Sequence, residues 1–145
     1  MPLRPLRTLC CAALLVIAGC GESTEIALEE SRQQLVGTWL SDSEDRGIRT
    51  RTVLALDRNG TFREDEKLTD AKGLAREASY LGEWLFDGVS LKRKYTQIDG
   101  RPLPALQAAS TSYAINLQGG GAFFGVDAIK KRAIRFVRTD TGARP

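Results

Sequence analysis

The chain has 145 residues, 27% of them charged, with 21 basic against 18 acidic side chains and a net charge of +3. So small an excess argues against a nucleic-acid binder, which carries a marked basic surplus, and the length suits one hydrophobic core. There is no histidine, which removes Ser-His and Cys-His catalysis, most zinc sites and the usual proton shuttle near neutral pH.

Arg4 and Arg7 precede a short apolar run, Leu9 to Ala18. The run is roughly half the ~20 residues that a membrane-spanning helix needs. A basic flank, a short apolar stretch and small residues before a cysteine have the order of a secretory signal. Ile17-Ala18-Gly19-Cys20 resembles the lipobox of bacterial lipoproteins, and the resemblance covers the first 21 residues. It implies cleavage before Cys20, acyl chains of the palmitate class on that residue, and a periplasm-facing protein held at a membrane by its lipid. An ordinary secretory peptide would release the protein instead; Ala18 and Gly19 directly before Cys20 favour lipidation. Gly21 stands where an Asp often signals inner-membrane retention. The outer membrane is therefore the expected address, with the inner membrane as the alternative. Cleavage removes Arg4 and Arg7 together with Cys10 and Cys11, leaving 19 basic against 18 acidic residues. The mature chain then has no free thiol, so no disulfide and no cysteine metal site are expected.

Residues 20–36 read as a tether and one short helix over Ser23 to Val36, with Ser23 or Thr24 as cap and Gly37 as stop. From Gly37 onward the pattern is β. Alternating runs are punctuated by Arg58-Asn59-Gly60, Asp87-Gly88, Asp99-Gly100 and Gly119-Gly120-Gly121. Eight strands are predicted, at 37–42, 48–57, 61–68, 75–86, 89–98, 110–118, 122–127 and 132–138. That number and spacing predict an all-β, eight-stranded antiparallel up-and-down barrel, since closure removes exposed edges. Residues 1–19 are the signal peptide, 37–138 the barrel and 139–145 a C-terminal tail. A three-residue loop at Arg58-Asn59-Gly60 pairs Leu56 with Phe62. A two-residue turn at Asp87-Gly88 pairs Phe86 with Val89 and Gly82 with Arg93. Of the two rings Phe123 and Phe124, pairing favours Phe124 as the inward one.

Gly37-Thr38-Trp39, repeated as Gly82-Glu83-Trp84, resembles the Gly-x-Trp signature of lipocalins and of short bacterial lipocalin-like domains. Leu54 to Phe62 resembles their strand-turn-strand unit, and Ile134 to Arg138 their closing strand, so the likeness spans residues 35–138. It implies a lipocalin-like barrel in which Trp39 packs across the closed end beneath Arg138, both in structural roles. Lipocalins bind small molecules inside the barrel. The short strands and the absence of a disulfide here depart from the animal proteins.

Parity sorts the interior by height. Apolar residues gather at the end of Trp39, and polar ones (Thr50, Thr52, Glu64, Glu66, Arg76, Arg93 and Gln97) point inward near the other. Longer connections, 42–47, 69–74 and 99–109, ring that second end. Buried charges cost several kcal/mol unless paired or wet. Glu64, Glu66, Arg76 and Arg93 are thus the candidate ligand-binding residues, against the plainer reading of hydrated charges at a splayed mouth. Nothing beyond a carboxylate spacing of ~7 Å supports a glycosidase pair. The run Lys92-Arg93-Lys94 reads as a solvated face. The expectation is a non-enzymatic, membrane-anchored lipoprotein without cofactor or metal, binding a small amphipathic or polar molecule at the barrel mouth. The alternative is a protein-interaction module, an envelope accessory factor or inhibitor, that uses the mouth loops.

Overall fold

The computed structural model describes residues 22–104, 109–129 and 131–145; the signal peptide expected over 1–19 and the lipidation expected at Cys20 lie outside these. One helix, α1 (Glu22–Leu35), leads into β1 (Gly37–Asp45), β2 (Ile48–Leu56), β3 (Thr61–Thr69), β4 (Ala75–Phe86) and β5 (Ser90–Ile98). A two-residue β6 (Arg101–Pro102) follows, then β7 (Ser110–Gln118), β8 (Ala122–Asp127) and β9 (Ala133–Thr139). The sheet order is β4-β3-β2-β1-β9-β8-β7-β5, and pairing of β4 with β5 closes it into an all-antiparallel barrel of eight strands. This is consistent with a lipocalin-like barrel. β6 is an addition that sequence patterning does not predict; it folds back on β5 through Asp99-Gly100, both left-handed.

The closed end is built from apolar residues of alternating parity. Trp39, Leu54, Leu56, Phe62, Trp84, Phe86, Leu91, Phe123 and Phe136 are buried there together with Leu35 of the helix. Both indoles are satisfied: Trp39 Nε1 donates to the Leu35 carbonyl at 2.8 Å, and Trp84 Nε1 to the Asp57 carbonyl at 2.9 Å. The helix lies over this end. Leu28 packs on the core beside the β4–β5 turn, and the Arg32 guanidinium is 5.5 Å from the Trp84 ring.

Arg138 fastens helix, first strand and the β7–β8 loop. It sits directly across from Trp39 in the β1–β9 register, with its guanidinium 4.3 Å from the centre of that ring. Its nitrogens donate to three carbonyls, those of Gln34 (2.7 Å), Val36 (3.0 Å) and Gly120 (2.8 Å). A cation on the last carbonyls of a helix also opposes the helix dipole. Gly37 makes the approach feasible, because a Cβ there would fall 2.3 Å from Arg138 Nη1, and its φ of 136° suits glycine alone.

Three expectations need correction. The segment 42–47 is not a loop. β1 and β2 zip to Asp45 opposite Ile48, across a two-residue turn with Arg46 and Gly47 both left-handed. Asp42 and Arg49 hold its outer face through a two-point ion pair at 2.6 and 2.9 Å, which keeps the Asp42 carboxyl below its ordinary pKa. The β4–β5 turn is wider than two residues. Phe86 pairs with Leu91, and Trp84 rather than Gly82 faces Arg93. The cause is Asp87, whose carboxylate accepts from the backbone N–H of both Val89 and Ser90 and so organises a four-residue loop. Finally, Phe123 is the buried ring and Phe124 faces out. The triple-glycine turn holds three residues, so Gln118 faces Ala122 and Phe123 meets Leu117 and Phe136. The three-residue loop at Gly60, with Leu56 opposite Phe62, is as expected.

Candidate functional site

Above the apolar layer the inward positions of β3, β5, β7 and β8 become polar. Glu64 and Arg93 sit on β3 and β5, with β4 between them. Gly82 of β4 lies opposite both Phe62 and Tyr95. A Cβ there would meet Phe62 Cε1 at 2.6 Å and the Lys94 carbonyl at 2.0 Å. The missing side chain lets Phe62 and Tyr95 close over β4, edge to face at 5.3 Å. They form the step on which the ion pair rests.

Arg93 Nη1 donates to Glu64 Oε2, and both residues are buried, at 3% and 7% exposure. Tyr95 donates its hydroxyl to the same carboxylate oxygen at 3.0 Å. The guanidinium is surrounded by aromatic rings, with Tyr113 at 5.2 Å, Phe62 at 5.6 Å and Tyr95 at 5.7 Å. Burying two charges costs several kcal/mol each, which their attraction offsets only with good geometry and added hydrogen bonds. The rings contribute ~0.5–2 kcal/mol apiece to holding the cation. Arg93 Nε is buried with no hydrogen-bond partner. Burial opposes the charge on Arg93, but Glu64, Tyr95 and Tyr113 outweigh it and raise its pKa. Burial also raises the phenol pKa values of Tyr80, Tyr95 and Tyr113, so all three keep their protons at neutral pH.

The pair is the floor of a space that opens at the mouth. One part, about 280 Å³, runs past Ser41, Thr50 and Thr52 to Ile134 and Phe136. The other, about 400 Å³, is walled by Tyr80, Tyr95, Ile98 and Thr111. Both are lined by Glu64, Glu66, Tyr113 and Asp127, where they meet. Their size is near that of small-molecule sites, ~300–1,000 Å³. A larger groove, about 640 Å³, lies along β4, β5 and β7, with Glu83, Leu85, Lys92 and Lys94 on the barrel exterior.

Of the predicted site residues, Glu64, Glu66 and Arg93 come together at this junction, with Thr50 and Thr52 beside them. Arg76 does not. It faces Leu68, four residues along the ribbon from the Glu64 level, roughly 13 Å, and is exposed. Gln97 turns outward as well. A register shift between Leu81 and Gly82 lets β5 hold one extra residue, Thr96, so that Gln97 faces Leu81 and Ile98 takes the inward place beside Tyr80. Lys92 and Lys94 face out, Lys92 pairing with Asp87 at 2.7 Å. Sequence reasoning missed Tyr80, Tyr95, Tyr113 and Asp127 as site residues. Strand parity turns the tyrosines inward, but parity alone does not separate a cavity wall from the core. Asp127 was hidden by the choice of Phe124 as the inward ring, because that parity turns Asp127 to solvent.

Among the described residues no group of three or more Cys, Asp or Glu is arranged to hold a metal ion, and no helix is long and apolar enough to cross a membrane. The chain matches no protein-family model and no curated protein.

Proposed function

We propose that this is a lipid-anchored envelope protein whose barrel mouth binds a small polar or amphipathic molecule without transforming it. One observation carries the reading: a space of about 400 Å³, walled by Tyr80, Tyr95 and Tyr113, reaches Glu64 of the buried ion pair. A buried ion pair is a poor source of stability compared with an apolar filling of the same volume. Set beneath an open cavity, it supplies fixed charge and oriented donors to whatever enters. Tyrosines suit such walls, since each offers an apolar ring and a polar tip. The lipobox-like Ile17-Ala18-Gly19-Cys20 supports the anchor.

The test is native mass spectrometry of the chain purified from its own host. A retained mass in the small-molecule range is expected, and it should be lost when Thr50, which lines the mouth, is replaced by Trp. A barrel that carries nothing and co-purifies with another protein would replace this reading with the interaction module. One observation favours that second reading: Ile48 at the start of β2, Leu74 in the β3–β4 loop and Ile129 in the β8–β9 loop, all around the mouth, are 44%, 63% and 82% exposed. Single exposed apolar residues are common on any surface, so the cavity is given precedence.

A further inference from the structure

This inference rests on the mouth being a ligand site, and it names the class of ligand. We infer that the molecule bound there is a neutral polyhydroxylated ring of the monosaccharide class. Five charged side chains line the smaller part of the cavity, and each is engaged within the protein. Arg93 is bound to Glu64. Arg132 reaches Asp45 at 4.0 Å. Asp127 accepts from the Ile129 N–H at 2.8 Å, and both it and Glu66 have a further partner. A charged ligand would lose its hydration here and meet no unmatched counter-charge.

What the lumen leaves to a ligand is a patch of hydroxyls. On β1 and β2, Ser41 stands opposite Thr52, and Ser43 opposite Thr50 in the next inward row. All four line the cavity. Ser41 and Thr52 are only 4% and 6% exposed, yet among the described residues neither hydroxyl has a hydrogen-bond partner. Buried polar groups in native proteins are satisfied, so these two call for a partner from outside the chain. Strand geometry sets the four at ~5 Å across and ~7 Å along, the scale of a pyranose ring with its hydroxyls. One row below, Glu64 adds an acceptor. Arg93 and Tyr95 both donate to its Oε2, which leaves Oε1 of this cavity-lining carboxylate without a hydrogen bond. A ligand hydroxyl that donates to a carboxylate makes a charge-assisted bond, stronger than a neutral one.

The flanks of the patch are apolar. Leu68 lies beside Thr50 in the β2–β3 register, and Ile134 and Phe136 stand on β9, the other neighbour of β1. A sugar ring presents C–H groups as well as hydroxyls, and the C–H groups suit these shoulders. Tyr113 also lines the space, but the Arg93 guanidinium already occupies its ring at 5.2 Å, so it is not counted. At about 280 Å³ this part lies at the small end of ligand sites, which fits one ring. A fatty chain would leave both buried hydroxyls unsatisfied.

The test titrates glucose, galactose and mannose into the full chain at pH 6, each beside its cationic 2-amino and anionic uronate counterparts, and follows binding by NMR. At least one neutral hexose should bind, about tenfold tighter than either charged counterpart, with shift changes centred on Ser41, Thr50 and Thr52. Thr52→Val should weaken that hexose about tenfold. It removes a hydroxyl that no protein group uses, so the variant should melt no lower than the parent. A hydroxyl with a merely structural role would instead lower the melting temperature and leave affinity unchanged, and that result overturns the proposal. Charged counterparts that bind as tightly as the neutral sugar overturn it too, as does binding of no hexose. Native spectrometry separates this failure from that of the site. A retained molecule that is not a carbohydrate overturns the class alone, and an empty barrel overturns both.

Discussion

At the scale of single residues, two arginines do opposite things with the same group. Arg138 lies at the surface of the closed end and spends its nitrogens on three backbone carbonyls. Trp39→Ala should destabilise the fold by ~3–5 kcal/mol, as deleting a fully buried aromatic does. Arg138→Ala should destabilise it less. Denaturant melts of the double variant should show coupling between the two; strictly additive losses would refute the stack. Arg93 instead is buried against Glu64. Glu64→Ala should cost ~3–5 kcal/mol, because it strands a buried cation. Removing both charges with Glu64→Leu and Arg93→Met should cost less than either single change. A double variant worse than both singles would mean that the pair itself holds the barrel together. Trp39 and Arg138 were legible in the sequence because both the Gly-x-Trp motif and strand parity point to them. The environment of Arg93 was legible only in part. Parity turns it inward, but which residues meet it depends on the width of one turn.

At the scale of elements, turns carry the information that strand patterns lack. Alternation located the eight barrel strands to within a few residues, because a one-residue slip would turn a whole apolar set to water. It could not see side chains that organise loops. Asp87 is the clearest case. Lys92 and the N–H groups of Ser90 and Val89 lower its pKa from 3.8 to about 2. A carboxyl depressed in the folded state stabilises it above the unfolded pKa, and that contribution fades as pH falls. The β4–β5 turn should therefore loosen between about pH 4 and pH 2. Carbon-detected NMR titration should place the Asp87 carboxyl at the low end of this window, and Asp87→Asn should abolish the local acid transition. An Asp87 that titrates near 3.8 would contradict the turn geometry. The Phe123-Phe124 pair shows the same dependence on turns. Adjacent rings are equivalent to a pattern of alternation, and only the length of the glycine turn decides between them.

At the scale of the molecule, the barrel has two unlike ends, and the proposed anchor joins one of them. The helix begins at Glu22, within two residues of Cys20, and packs over the closed end through Leu28, Arg32 and Leu35. If Cys20 carries lipid, the closed end sits near the membrane and the mouth faces away. Cysteine probes at Lys72, in the exposed β3–β4 loop, should label faster with an impermeant thiol reagent in opened cells than probes at Val89, in the β4–β5 turn. The reverse order would overturn this orientation. The central claim is that the lumen, rather than the rim, is the functional surface. Its most direct test compares NMR spectra of the protein as purified with those of the same protein after unfolding, dialysis and refolding. Chemical-shift changes centred on Glu66, Tyr80, Tyr113 and Asp127 are predicted, as a retained molecule leaves the cavity. Identical spectra, or changes confined to Ile48 and Leu74 on the rim, would contradict it.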